Sequence, residues 1–274
     1  MNRILVPTDF SDHAENALKV AAMIAKKYNA EIYLLHMMEI PMRQTDQGQT
    51  ESIIPETLFF MNLARKKFET LMAQDYLKDI TVHETVKEDI TFNEIKDSCL
   101  EFNIDLIIMG SHGATGLKDM FIGSNAEKVV RSSEVPVLVI KNEHLDFKIS
   151  NFVFASDFKY DNKDTYRQAV KFAKAFGSKI HLLLVITSND FMTSYEAQSR
   201  IKDFISGQSF ENYTINIHND YTIEQGILNV SKDIDADLIG ISTHGRQGIA
   251  HFFNGSISED LVNHANRPVI TFKI

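Results

Sequence analysis

Cysteine is nearly absent from this chain. Cys99 is the only one in 274 residues, so no intrachain disulfide can form. No apolar run approaches the roughly 20 residues that a membrane-spanning helix requires. The opening MNRILVPTDF also lacks a charged-then-apolar leader ending in small residues. Together these absences point to the cytoplasm. Basic charge is scarce as well, since 28 Lys and Arg are set against 37 Asp and Glu, a formal charge of −9. Phosphate backbones and anionic membranes are bound chiefly through clustered Lys and Arg, so neither nucleic acid nor membrane is an expected partner. Neither common phosphate motif occurs: there is no Gly-x4-Gly-Lys-Ser/Thr, and no Gly-x-Gly-x-x-Gly follows a strand. What is present, at 44% hydrophobic, suffices for real cores in one large domain or two ordinary ones.

The most informative stretch runs from Ile104 to Ile140. Leu106-Ile107-Ile108-Met109 is too short for a typical helix and rich in β-branched residues, and it reads as a strand buried on both faces. Gly110 ends it. Gly113 follows, then Gly123-Ser124, and Asn125 to Val130 takes up helical apolar spacing before a second buried strand, Val135 to Ile140. Glycines without Cβ let backbone N–H groups approach an anion closely, and a helix start adds unpaired donors and a positive dipole end. Phosphate is the natural guest of such a loop.

Taken in order, the chain alternates strands and helices. Arg3 to Val6 is a strand, Pro7-Thr8-Asp9-Phe10-Ser11 a polar turn able to cap a helix, and Asp12 to Tyr28 a helix with a stripe of small residues. Glu31 to Met38 is a second strand, and Ile40 to Pro55 a long polar surface loop. A helix over Glu56 to Gln74 follows, with Leu58, Met61, Leu63, Ala64, Phe68, Leu71 and Met72 on its apolar side. Thr81 to Val86 is a third strand and Phe92 to Phe102 a further helix. This βα alternation predicts a parallel sheet with helices on both faces. Ligands in such sheets bind beyond the carboxyl ends of the strands, where Pro7, Thr8, Asp9, Met37, Met109 and Gly110 all fall.

After Lys141 the chain repeats itself. Phe152 to Phe158 echoes Ile4 to Phe10, and Asp237 to Gly245 echoes Asp105 to Gly113. Gly113 and Gly245, Gly123 and Gly255, and Pro136 and Pro268 are each 132 positions apart. Two copies of one domain follow, over residues 1–142 and 149–274, with the join near Asn142 to Lys148 and a shorter middle in the second copy.

The pattern Gly110-x2-Gly113-x9-Gly123-Ser124, with the opening Ile-Leu-Val-Pro-Thr-Asp-Phe-Ser, resembles the ATP-binding signature of the universal stress protein family, and the likeness covers both halves. The resemblance implies two tandem doubly wound α/β domains of the adenine nucleotide alpha hydrolase-like kind, each a five-stranded, mainly parallel sheet. It implies ATP, with or without magnesium, as ligand. Pro7, Thr8 and Asp9 would hold the adenine and Met37 would line the base pocket. Met109 and Gly110 would border the ribose and phosphates, and Gly113, Gly123, Ser124, Asn125 and Ala126 would cradle the phosphate chain. It further implies an intramolecular pseudo-dimer joined through the last strands, Val135 to Ile140 and Pro268 to Phe272, with a further homodimer open and the protein partner unspecified.

Each residue has a plainer alternative. Asp9 and Ser124 could cap helices and nothing more. The second copy departs from the pattern, with Ser242 where the first glycine belongs and Ala155-Ser156-Asp157 for Pro-Thr-Asp. A Cβ at Ser242 would crowd a phosphate or ribose if that position needed positive φ. His112 and His244 repeat and His36 ends a strand nearby, but no ligand spacing for a metal emerges. Ser111, His112 and Asp9 do not make a triad, because adjacent Ser and His in one loop rarely aim at each other. No catalytic residue is indicated. Lys118, beside Asp119, reads as a solvated charge on the glycine loop. The expected function is therefore a nucleotide-binding regulatory or stress-response protein; a slow ATPase or other nucleotide-consuming enzyme, and a binder of some other small ligand, are the alternatives. Replacing Gly123 with Val should abolish ATP binding measured by calorimetry, because the added side chain bars the backbone from phosphate; unchanged affinity would contradict the glycine-loop reading.

Overall fold

Short apolar runs closed by polar turns build the strands of this protein, and alanine-rich or amphipathic runs build the helices. The computed structural model describes residues 1–38, 42–44, 50–52, 54–87, 92–111, 124–159, 163–243, 261 and 264–273. In the first half these form β1 (Arg3–Pro7), α1 (Asp12–Tyr28), β2 (Glu31–Met37), β3 (Met42–Gln44), β4 (Thr50–Ser52) and α2 (Ile54–Met72), then β5 (Val82–Lys87), α3 (Phe92–Glu101), β6 (Leu106–Gly110), α4 (Ser124–Ser132) and β7 (Val137–Ile140). In the second they form β8 (Asn151–Ala155), α5 (Lys163–Phe176), β9 (Lys179–Ile186), α6 (Ser194–Ile205), β10 (Tyr213–Asn219), α7 (Ile223–Asp233), β11 (Leu238–Thr243) and β12 (Val269–Lys273).

The local signals are visible at α1. Ser11 caps it, its hydroxyl accepting from the Ala14 N–H, acidic Asp12 and Glu15 lie in the first turn, and Lys26 and Lys27 lie in the last. Asn29 closes the helix in the left-handed conformation. The small residues Ala14, Ala17, Ala21, Ala22 and Ala25 are buried, which lets the helix axis lie close to the sheet.

One ten-stranded sheet runs through the molecule in the order β10-β9-β8-β11-β12-β7-β6-β1-β2-β5. Each half has the same internal arrangement in this sheet, its first strand in the middle and its last at the seam, and within a half every pairing of this sheet is parallel. The halves meet where β12 pairs antiparallel with β7, Val269 opposite Val139, Ile270 opposite Leu138 and Thr271 opposite Val137. Alternate residues of each strand feed two cores, one on each face. Ile4, Val6, Leu138, Phe152 and Phe272 pack under α1, α2, α5 and α6. Leu5, Ile107, Val139, Val153 and Ile239 pack under α3, α4 and α7. Both cores cross the seam without a break.

Two carboxylates fix which strands become neighbours. Asp105 Oδ2 accepts from the N–H groups of Asn2 and Arg3, and Asp237 Oδ2 accepts from those of Ser150 and Asn151. Each ties the start of the fourth main strand of its half to the start of the first, through charge-assisted bonds. The segment between β7 and β8 is packed, since Phe147 and Ile149 are buried, and the Tyr28 hydroxyl of α1 donates to the Ala175 carbonyl across the seam.

Two sequence expectations need correction. The stretch from Ile40 to Pro55 holds a small antiparallel ribbon, β3 with β4, and α2 already begins at Ile54. The apolar side of α2 is mostly not buried: only Ala64 and Phe68 are, while Leu58, Met61, Leu63 and Met72 are exposed. A single i, i+4 pair suffices because α2 meets the sheet near its β2–β5 edge, where little surface remains to cover. A chain ending at Asn142 would leave β7 as an unpaired apolar edge, so it should self-associate through that strand. Sedimentation analysis showing a stable monomer would contradict the role given to the seam.

Candidate functional site

The turn after β1 is the best-defined part of the candidate site. Thr8 N–H donates to the Leu35 carbonyl at 2.8 Å, anchoring the turn on β2. The Thr8 hydroxyl accepts from the Phe10 N–H at 3.0 Å, and Asp9 Oδ1 accepts from the Ser11 N–H at 3.0 Å and the Ser11 hydroxyl at 2.6 Å. These bonds hold Phe10 at a φ of 63°, a region that costs a bulky L-residue about 1–2 kcal/mol. Ser11, not Asp9, caps α1; Asp9 orients the capping residue.

His36, one residue before Met37, completes this support. Its Nδ1 lies 2.8 Å from the Thr8 carbonyl, which requires Nδ1–H to donate, and its ring packs on Phe10 at 4.5 Å between centroids. The Lys67 amine of α2 lies over the other ring at 4.9 Å from the Phe10 centroid. Burial pushes the His36 pKa below the ordinary imidazole range. The sequence reading placed His36 near the crevice without giving it a part, and its positioning role is a tertiary fact that no spacing signals.

β1 and β6 are neighbours in the sheet, yet β1 leads into a helix on one face and β6 toward α4 on the other. The connections therefore diverge between these two strands, which is where a ligand crevice of an open α/β sheet is expected, beyond their carboxyl ends. Pro7, Thr8 and Asp9 stand at the end of β1, Met37 at the end of β2, and Met109 and Gly110 at the end of β6. Met109 is buried and Met37 half-buried in the core on the α4 side. α4 begins at Ser124 and carries Asn125 and buried Ala126 in its first turn, so its unpaired N–H groups lie at the start of the helix. Gly113 and Gly123 lie outside the described residues, as do His112 and Lys118. One group went unnoticed in the sequence: Lys141, immediately after β7, whose amine is brought down to about 8 by burial. Its carbonyl lies 3.3 Å from His13 Nδ1, and the Ser111 N–H bonds to the preceding carbonyl, that of Ile140, at 3.1 Å. The signal for it was Lys273, which repeats it 132 positions on.

Gly110 has a different reason from the one the glycine pattern suggests. It is not in the left-handed region, and a Cβ built there would lie 2.7 Å from the carbonyl carbon and oxygen of His13 in α1. The glycine therefore permits close approach of α1. Its counterpart Ser242 directs its hydroxyl to Thr165 of α5 at 2.7 Å, both side chains being fully buried. The serine thus serves helix packing, and the notion that its Cβ crowds a ligand falls away with the positive φ. Elsewhere the second half repeats the first: Ser156 accepts from the Phe158 N–H, Phe158 has a φ of 52°, and Asp157 accepts from the Lys159 N–H. Asp157 differs from Asp9 in being buried, and its carboxylate meets the Lys159 amine at 3.5 Å.

The repeat, the sheet order and this crevice now meet an independent comparison. The model of the universal stress protein family matches residues 1–141 and 217–273. The chain belongs to that family. A universal stress protein of Methanocaldococcus jannaschii is 33% identical over 140 residues, 51% of this chain and 81% of its own length. One from a Synechocystis species is 22% identical across the whole of both chains. The crystal structure of a universal stress protein from Archaeoglobus fulgidus superposes with a TM-score of 0.75 over 99% of this chain and 96% of its own, at 22% identity, which supports the tandem fold. In this universal stress protein, substituting Gly110 with Ser should force α1 away from β6 and cost about 1–3 kcal/mol, as overpacking does. Urea unfolding with an unchanged midpoint would refute the packing role.

Proposed function

We propose that the first half binds one ATP per chain, alone or as its magnesium complex, and that the protein acts as a nucleotide-dependent regulatory or stress-response protein without steady turnover. The observation that carries this reading is the convergence of the Thr8–Asp9 turn, Met37, Met109 and the start of α4 around the reversal between β1 and β6. In this reading Pro7, Thr8 and Asp9 meet the adenine, with the turn held rigid by His36 and Ser11. Met37 and Met109 offer soft apolar surface to the base and ribose. Gly113, Gly123 and the first turn of α4, Ser124 to Ala126, receive the phosphates through backbone N–H groups.

The residues present fit that ligand in one further respect. Lys141, whose amine is brought down to about 8 by burial, stands directly after β7 at the same carboxyl end of the sheet, where a bound anion would favour its charged form. Asymmetry between the halves is supported by Asp157, whose carboxylate is covered and paired with Lys159 where Asp9 is half-exposed. A regulatory role in preference to catalysis rests on the lack of a Walker lysine and of a recognisable base near the phosphate loop. Mass spectrometry of whatever co-purifies should detect an adenine nucleotide. Calorimetry should give a stoichiometry of one, and phosphate release should stay far below ordinary enzyme rates of about 1 per second. Two equivalent sites or steady turnover at such rates would overturn the proposal.

A further inference from the structure

At the end of the sheet opposite the crevice, the first half has a cavity of about 310 Å³ between α3 and the segment entering β7. Its walls include Ile95, Cys99, Ile104 and Val135, with Asn103 beside them, and a Lys96–Glu134 ion pair of 3.4 Å stands at the rim. The volume lies at the low end for small-molecule sites, roughly 300–1,000 Å³. Nothing in the reading of the nucleotide crevice uses it.

The repeat tells what such a space accepts. With the 132-residue offset, Val135 corresponds to Arg267, Asn103 to Asp235 and Ile104 to Ala236. In the second half the Arg267 side chain lies in the corresponding place: its Nε donates to the Ala236 carbonyl, and its Nη2 to Asp235 Oδ1 at 3.1 Å. The chain thus supplies its own guanidinium where the first half has a valine and leaves room. Asn103 and Asp235 even share the same left-handed backbone, with φ of 50° and 52°, so the carbonyl that follows is presented alike.

We infer that the first-half cavity is a binding site for a small guanidinium-bearing ligand with a short aliphatic stem. The stem lies against Ile95 and Val135, and the planar fork donates to the Ile104 carbonyl and the Asn103 side-chain oxygen, as Arg267 does to their counterparts. The Lys96–Glu134 pair at the rim is neutral as a unit, so selectivity rests on the two acceptors inside. A guanidinium suits this site better than an ammonium because its fork reaches two acceptors in fixed geometry. Cys99 contributes wall and no chemistry, since burial pushes its thiol up to about 12.

The test is an NMR titration of the full chain with ethylguanidinium, and with butylammonium as control, following the amides of Ile95, Cys99, Ile104 and Val135. Saturable shifts are expected with ethylguanidinium, at least tenfold weaker with butylammonium. Val135→Arg should abolish them and raise the melting temperature, because the cavity then holds its own arginine. Asn103→Asp, which restores the carboxylate of the second half, should tighten binding severalfold and keeps the test open if Val135→Arg does not fold. No saturable shift with ethylguanidinium, equal binding of both cations, or unweakened binding by folded Val135→Arg would each overturn the inference, as would unchanged affinity in Asn103→Asp.

Discussion

The antiparallel pairing of β7 with β12 is the constraint on which the architecture depends. Each half alone is a parallel sheet with its last strand at an edge, and an apolar edge strand must be covered or it recruits another chain. Pairing the two edges buries both and makes one sheet of ten strands. Because the pairing is antiparallel, the carboxyl ends of the two sets of parallel strands point in opposite directions. The carboxyl ends of β1 and β6 and those of β8 and β11 therefore lie at opposite ends of the seam. The first pair lies beside the amino end of β12, where the Asn142 side chain donates to the Asn266 carbonyl. The second pair lies beside the amino end of β7, preceded by Glu134 and Val135. The two copies, alike inside, thus face unlike neighbours.

What the copies share is instructive about cost. Phe10 and Phe158 both take positive φ, a conformation that bulky residues avoid. In both halves a hydroxyl at the preceding-but-one position accepts the strained residue's N–H, and an aspartate accepts the next one. A strained backbone persists only where the surroundings over-determine it, and two side-chain acceptors in succession do so here. The turn is rigid before any ligand arrives, which reduces what binding must spend on ordering.

Much of this was legible in the sequence because the relevant signals are local. The small-residue stripe of α1 and the β-branched run of β6 depend on neighbours in the chain, and the structure has both elements where the sequence put them. The parts that were not legible depend on contacts between distant segments. The apolar face of α2 looked like core because spacing cannot report how much sheet is left to cover. Gly110 matched a phosphate pattern, but what it meets is the backbone of His13, nearly a hundred residues earlier. Lys141 served in the sequence only to mark where the repeat begins, and only its half-burial gives it interest. The ribbon of β3 and β4 was hidden by polar composition, since three-residue strands are too short for an apolar alternation to show.

The copies differ at three matched positions, where the second half makes a side-chain pairing of its own. Ser242 and Thr165 bond to each other where the first half has Gly110 against α1; Arg267 reaches the Ala236 carbonyl where the first half has Val135 and a cavity; Asp157 pairs with Lys159 where Asp9 is half-exposed. The Ser242–Thr165 and Asp157–Lys159 pairings satisfy buried polar groups internally, and a satisfied network in a low-dielectric interior rigidifies what holds it. A group already paired inside the chain has less to gain from a ligand, because any new partner must first displace the old one. By this reasoning the second half is suited to act as a scaffold that completes the sheet and fixes the seam. Under the proposed function and the inferred cavity, both small-molecule sites fall in the first half, at opposite ends of its strands.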